Sequence, residues 1–190
     1  MVRRMKIGIY GGSFNPIHFG HTGLAQWVVE NTDLDEVWLM VSPNNPLKDT
    51  SILADEQVRL REAKEAIKIL QTYPQVMKEN KKIVVSDFEF SLPRPNYTAN
   101  TLRELQKLYP QYEFTLIIGE DNLEIFPKWR EYTYLLENFK ILVYPRKGSN
   151  KSVEQMIQEL GTVRIKEVQL LANAPYFEIS STELRKNLHN

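Results

Sequence analysis

The sequence predicts an α/β fold: a parallel sheet with helices on both faces. Three features carry this. Short runs such as Glu36 to Val41, EVWLMV, are apolar throughout, as in strands buried on both sides. Stretches with a helical apolar stripe stand between these runs. The runs stop at Gly, Ser or Pro, the residues that end a strand and open a loop.

Taken in order, Lys6 to Tyr10 is a buried strand running into Gly11-Gly12, and Gly20 to Asn31 is a helix facing inward through Leu24 and Val28. Glu36 to Val41 is the second strand, stopped by Ser42-Pro43, with a loop to Thr50. A long helix from Ala54 to Thr72 carries Val58, Ala63, Ala66, Ile67 and Leu70 as its stripe. Lys82 to Phe90 is read as a strand, and Pro93 and Pro95 make the next segment a loop. A helix from Ala99 to Tyr109, a strand from Glu113 to Ile118 ending at Gly119, and a short helix and turn at Pro127 follow. Arg130 to Asn138 reads as helix, Phe139 to Tyr144 as strand, and Val153 to Leu160 as a helix ended by Gly161. Val163 to Val168 is read as a strand, Phe177 to Ile179 as a strand stub, and Ser181 to His189 as the closing helix. With no repeat and no low-complexity linker, residues 1–190 are expected to form one domain, doubly wound and Rossmann-like.

The composition excludes several function classes. The 24 basic and 24 acidic residues cancel, so no global field exists for gripping nucleic acid. There is no cysteine, which removes disulfides, thiolate catalysis and cysteine metal sites. The opening MVRRMKIGIY has no apolar stretch of signal-peptide length, and no run approaches a membrane span. A cytoplasmic protein is expected, with no membrane or nucleic-acid partner; a homo-oligomer is compatible with the sequence.

In open α/β sheets ligands bind beyond the carboxyl ends of the strands. The polar and special residues concentrate in the loops that leave those ends. In IYGGSFNPIHFGH, Gly11 and Gly12 are expected to adopt positive φ and to let backbone N–H groups approach a ligand. The helix behind them adds free N–H groups and the positive end of its dipole, making an anion site. The G-x-G-x-x-G spacing of dinucleotide folds is missing, no acidic residue ends the second strand, and no P-loop motif occurs. His18 and His21 lie one helical turn apart. A capping role is the plain alternative for such a pair. A metal pair would need a third ligand, and the remaining histidine is His189. The sharper reading sets both imidazoles over a phosphate chain.

GGSFNPIHFGH resembles the signature of the H-x-G-H nucleotidyltransferases, here His18-Phe19-Gly20-His21. Ile179-Ser180-Ser181-Thr182-Glu183-Leu184-Arg185 resembles their I-S-S-T-x-x-R motif. Three middle segments, PNNPLK (Pro43 to Lys48), RPNYTANTL (Arg94 to Leu102) and GEDNLEIFPKW (Gly119 to Trp129), are similar to those of the bacterial nicotinate-nucleotide adenylyltransferases. The resemblance spans nearly the whole chain, with departures at Leu47, Asn96 and Asn100, where the family pattern has His, Ser and Asp.

The resemblance implies adenylyl transfer from ATP to nicotinate mononucleotide in NAD synthesis, with Mg²⁺ carried on the triphosphate by phosphate and water oxygens. It implies His18, His21, Lys48 and Arg185 as the catalytic residues, the two histidines facing the ATP phosphates. Gly11, Gly12, Ser13, Phe14, Gly119, Asp121, Ile179, Ser180, Ser181 and Thr182 would bind ATP. Tyr97, Thr98, Trp129 and Arg130 would bind the pyridine mononucleotide, Trp129 by stacking on the ring and Thr98 by donating to its carboxylate. Each has a blander alternative: an N-cap for Ser180 to Thr182, a solvated helix residue for Arg185 and Arg130, packing under a loop for Trp129. Two rival functions remain at this stage. One is another transferase of the superfamily, such as the pantetheine-phosphate enzyme. The other is a module that binds nucleotide without turnover.

Overall fold

The computed structural model describes residues 3–44, 53–72, 80–146 and 151–177, together with Ser181 and Leu184. The strands are β1 (Met5–Gly12), β2 (Glu36–Val41), β3 (Lys82–Ser86), β4 (Tyr112–Gly119), β5 (Lys140–Tyr144) and β6 (Glu167–Leu170). The helices are α1 (Phe19–Asn31), α2 (Glu56–Gln71), α3 (Thr98–Leu108), α4 (Glu120–Glu124), α5 (Tyr132–Asn138) and α6 (Val153–Glu159). The strands form one sheet in the order β3-β2-β1-β4-β5-β6, every pair parallel. This is the expected doubly wound, Rossmann-like arrangement. Among the described residues no helix is long and apolar enough to cross a membrane.

Alternation along the strands builds two cores. On one face Ile7, Ile9, Leu116, Ile118, Ile141 and Val143 pack with Leu102 and Leu105 of α3, Leu135 and Leu136 of α5 and Met156 of α6. On the other, Tyr10, Leu39, Ile117 and Leu142 pack with Leu24 and Val28 of α1 and with Leu60, Ala63 and Ile67 of α2. The strand order reverses direction at β1, with β2 on one side and β4 on the other. The crevice beyond β1 is therefore where a ligand is expected.

Four expectations about local structure need correction. Gly11 and Gly12 belong to β1, paired with Met40 and Val41, and neither has positive φ; the left-handed turn falls on Phe14, at φ 45°. The third strand stops at Ser86, whose hydroxyl accepts the Phe88 N–H at 3.3 Å, so Phe88–Ser91 curls into a 3-10 turn. Val163 and Ile165 pack on the first core without pairing, and the last strand starts only at Glu167. The stripe on α2 stands, with Ala63 and Ile67 buried, Val58, Ala66 and Leu70 half-buried, and Arg59 and Leu60 buried beside them. Phe177 is not in a strand, and residues 178–180, most of the closing helix and the loop from 45 to 52 lie outside the described residues.

Candidate active site

The turn from Ser13 to His18 is fixed by a residue on another element. Arg59 of α2 is buried, and among the described residues its guanidinium makes no salt bridge, although the carboxylates of Glu56 and Asp55 act on it from a distance. Instead Nη1 donates to the carbonyls of Ser13 at 2.6 Å and Ser42 at 2.8 Å, Nη2 to Pro43 at 3.1 Å, and Nε to Ala54 at 2.9 Å. One side chain thus ties the loop after β1 to the loop after β2. Since the Ser13–Phe14 peptide is trans and planar, drawing the Ser13 carbonyl to Arg59 turns the Phe14 N–H to the opposite side. Asn15 adds a second tie, its Oδ1 accepting the Ala54 N–H at 3.1 Å. The Phe14 ring meets Tyr10 edge-on at 5.7 Å and His21 at 5.0 Å. A Cβ on Gly12 would sit 3.0 Å from that ring, so the ring would have to shift by a few tenths of an ångström to admit one.

His18 is the N-cap of α1 and His21 its third residue. The His18 backbone N–H donates to His21 Nδ1 at 3.2 Å, which leaves the proton of a neutral His21 on Nε2. The two rings stack at 3.7 Å. Both ring nitrogens of His18 are buried without a hydrogen-bond partner among the described residues. Burial first, and then the charge of Arg146, push its pKa down to about 4. A buried imidazole with two unsatisfied nitrogens is the signature of a site that awaits a polar ligand.

Arg146 is not among the residues expected at the site, although it stands in a loop that leaves the carboxyl end of a strand. It follows β5, and its backbone N–H donates to Glu120 Oε2 at 3.0 Å while its Nε lies 3.8 Å from Asp121 Oδ2. With His18, His21, Tyr10, Tyr144 and Phe177 it lines a small cleft. Gly119 sits beneath this cluster; a Cβ there would fall 2.4 Å from Asp121 Oδ1 and 2.9 Å from Arg146 Cγ.

The far end of the chain reaches the same turn. Ser181 Oγ donates to the Pro16 carbonyl at 2.9 Å. Phe177 meets the Phe19 ring edge-on at 5.9 Å, and a Cβ on Gly23 would lie 2.7 Å from it. Lys48, Ile179, Ser180, Thr182 and Arg185 lie outside the described residues.

Beside the histidine cleft lies a cavity of about 520 Å³, lined by Gly11, Gly12, Gly119, Tyr97, Thr98, Trp129 and Arg130 among others. Tyr10 and Tyr144 line both spaces and so form the wall between them. Tyr97 caps α3 and Thr98 is its first residue. The Arg130 guanidinium lies 4.8 Å over the Tyr97 ring. Trp129 packs against Phe126, 5.0 Å between centroids, and its buried Nε1 has no hydrogen-bond partner among the described residues. Asp121 faces Arg146 and does not line the cavity, where Asn122 stands; Ser13 and Phe14 line neither space. Glu89 also lines the cavity, a carboxyl that the sequence hides inside a strand-like run.

A model of the cytidylyltransferase-like family matches residues 9–187. A Flavobacterium psychrophilum protein named "Probable nicotinate-nucleotide adenylyltransferase" is 46% identical over 186 residues, 98% of this chain and 88% of that protein. A Bacteroides fragilis protein of the same name is 43% identical, covering 97% of this chain and 83% of its own. The crystal fold of Plasmodium falciparum nicotinic acid mononucleotide adenylyltransferase complexed with NaAD superposes with a TM-score of 0.73. It covers 96% of this chain and 83% of that one at 21% identity, a likeness of fold.

Two outcomes follow from the geometry. Arg59→Met strands four carbonyls and should cost about 3 kcal/mol in urea unfolding. His18 is held near 4 in the folded chain against 6.5 for a free imidazole, so the unfolded state takes up the proton first as pH falls. Between those pH values wild-type stability should drop more steeply than that of His18→Asn, measured by urea titrations at each pH.

Proposed function

The chain belongs to the cytidylyltransferase-like family, among its nicotinate-nucleotide adenylyltransferases, and from that premise we propose how its residues move an adenylyl group from ATP to nicotinate mononucleotide. A phosphate oxygen of the mononucleotide attacks the α-phosphorus, the bond from that phosphorus to the β-phosphate oxygen breaks, and pyrophosphate leaves with nicotinate adenine dinucleotide formed. A phosphate monoester has a second pKa of about 6, so the nucleophile is already ionised and needs no general base. The barrier is electrostatic, because two polyanions must meet, and the protein acts by positioning and charge neutralisation.

Backbone N–H groups near Gly12 and Ser13 hold phosphate. His18 and His21 face the triphosphate, and His21 donates from Nε2 to the oxygens of the phosphorus under attack. Lys48 and Arg185 add fixed positive charge, and Ser181 with Thr182 offers hydroxyl and backbone donors to the outer phosphates. Gly119 and Asp121 hold the adenosine ribose. Trp129 stacks on the cationic pyridine ring while Thr98 donates to the nicotinate carboxylate. The observation that supports this reading is the hydrogen bond from Ser181, one residue of the second motif, to the Pro16 carbonyl in the turn that bears the histidines.

Among the described residues no three His, Cys, Asp or Glu gather to hold a metal. A Mg²⁺ that arrives on the triphosphate suits such a donor set, since it takes phosphate and water oxygens in place of a protein cage. Bound there, it supplies positive charge to the phosphates. A cytoplasmic location goes with this reading.

Pyrophosphate release with ATP and Mg²⁺ tests it across three acceptors: nicotinate mononucleotide, nicotinamide mononucleotide and phosphopantetheine. The first should far outrun the others. ATP binding without release of pyrophosphate in the presence of any of these acceptors would overturn the reading. His21→Ala should lower turnover by about a hundred- to a thousandfold while the circular dichroism spectrum stays that of the wild type.

A further inference from the structure

Among the described residues Glu89 is the one acidic side chain on the larger cavity, and the proposed chemistry leaves it without work. It is 6% exposed and stands in the 3-10 turn that ends the β3 segment. Its Oε1 accepts the Thr101 hydroxyl at 2.7 Å. Its Oε2 is buried with no hydrogen-bond partner. No cation lies within ion-pair distance among the described residues. The groups that bear on the carboxyl are two hydroxyls, those of Thr101 from α3 and Ser42 from the loop after β2. The other titratable side chains on the cavity wall are Lys128, Arg130, Tyr10, Tyr97 and Tyr144.

The position of this carboxyl is what gives it meaning. Thr101 follows Thr98 by three residues on α3, so the two share one face of the helix, and both line the cavity. Glu89 is therefore bonded one turn along α3 from the residue assigned to the nicotinate carboxylate. Asn96 braces the same corner: its Nδ2 donates to the Glu89 carbonyl at 3.0 Å, and its Oδ1 is left buried and unpartnered. The corner thus offers a buried carboxyl, approached by the hydroxyls of Thr101 and Ser42, and an amide oxygen without a hydrogen-bond partner among the described residues.

We propose that Glu89, held by Thr101, is the specificity-determining residue of the pyridine subsite: as a neutral acid it donates to a ring carboxylate, and as a carboxylate it rejects that ligand and accepts from a ring amide. The inference rests on the assignment of the pyridine ring to this cavity. Burial raises the Glu89 pKa, while the Thr101 and Ser42 hydroxyls lower it. A neutral carboxylic acid is a hydrogen-bond donor, and an ionised one only accepts. A nicotinate carboxylate needs donors, whereas a nicotinamide amide presents both an N–H and a C=O. Binding of the acid is then coupled to a proton on Glu89, and binding of the amide is not.

The test is the ratio of kcat/KM for nicotinate mononucleotide to that for nicotinamide mononucleotide, measured from pH 6 to 9. Titration of the substrate phosphate and of the histidines acts on both substrates and cancels in the ratio. For the wild type the ratio should fall as pH rises, by up to about tenfold per pH unit once Glu89 ionises. Glu89→Gln is close in shape, stays neutral and should flatten the profile while keeping use of the acid. Thr101→Val removes the donor that favours the carboxylate form and should move the fall to higher pH. A Glu89→Gln profile that still follows the wild type, or an equal loss with both substrates, overturns the proposal. A wild-type protein that turns over neither mononucleotide instead fails the assignment of function, and this inference falls with it.

Discussion

The turn between Ser13 and His18 is clamped from two sides, and the candidate site depends on that clamp. From one side a buried guanidinium collects the carbonyls of Ser13, Ser42, Pro43 and Ala54. From the other, Ser181 reaches back across 165 positions to the carbonyl of Pro16. Hydrogen bonds to a charged donor are the stronger kind, about 1.5–3 kcal/mol each. A buried charge without an acidic partner is tolerated only when such acceptors surround it. Arg59 is therefore a structural cation, set where strand ends and loops must keep a fixed spacing.

Two spaces with different chemistry meet over this frame. The cleft of His18, His21 and Arg146 gathers donors and positive charge, suited to phosphate oxygens. The larger cavity is lined with aromatic rings and a few polar atoms, suited to a flat ring with polar substituents. Tyr10 and Tyr144 stand between them with their rings 5.9 Å apart. Burial raises the pKa of both, so both are neutral and leave the field of the cleft to the cations. A reaction that joins a phosphate of one substrate to that of another needs such neighbouring spaces.

The alternating pattern of strands and helices was readable because an all-apolar strand and a striped helix differ in period. The H-x-G-H turn was readable because its residues are local. What escaped the sequence is what depends on distant partners. Arg59 reads as a charged residue on a helix stripe until four carbonyls are seen around it. Glu89 sits in a run that alternates like a strand, and the Ser86 hydroxyl that ends the ladder is a tertiary detail. Arg146 follows Pro145 at the end of a strand, a position that could have drawn notice by its place alone. Positive φ was expected at the glycines, yet Gly12 lacks it, and what a side chain there would meet is the Phe14 ring.

The central claim is that His18 keeps its ring nitrogens unsatisfied for an anion. Histidine titration by nuclear magnetic resonance, without and with inorganic pyrophosphate, tests it directly. The account predicts a His18 pKa of about 4 in the free protein. With saturating pyrophosphate it should rise by about one unit or more, since a nearby anion favours the charged imidazole. A His18 that titrates at the same pH in both samples would contradict it.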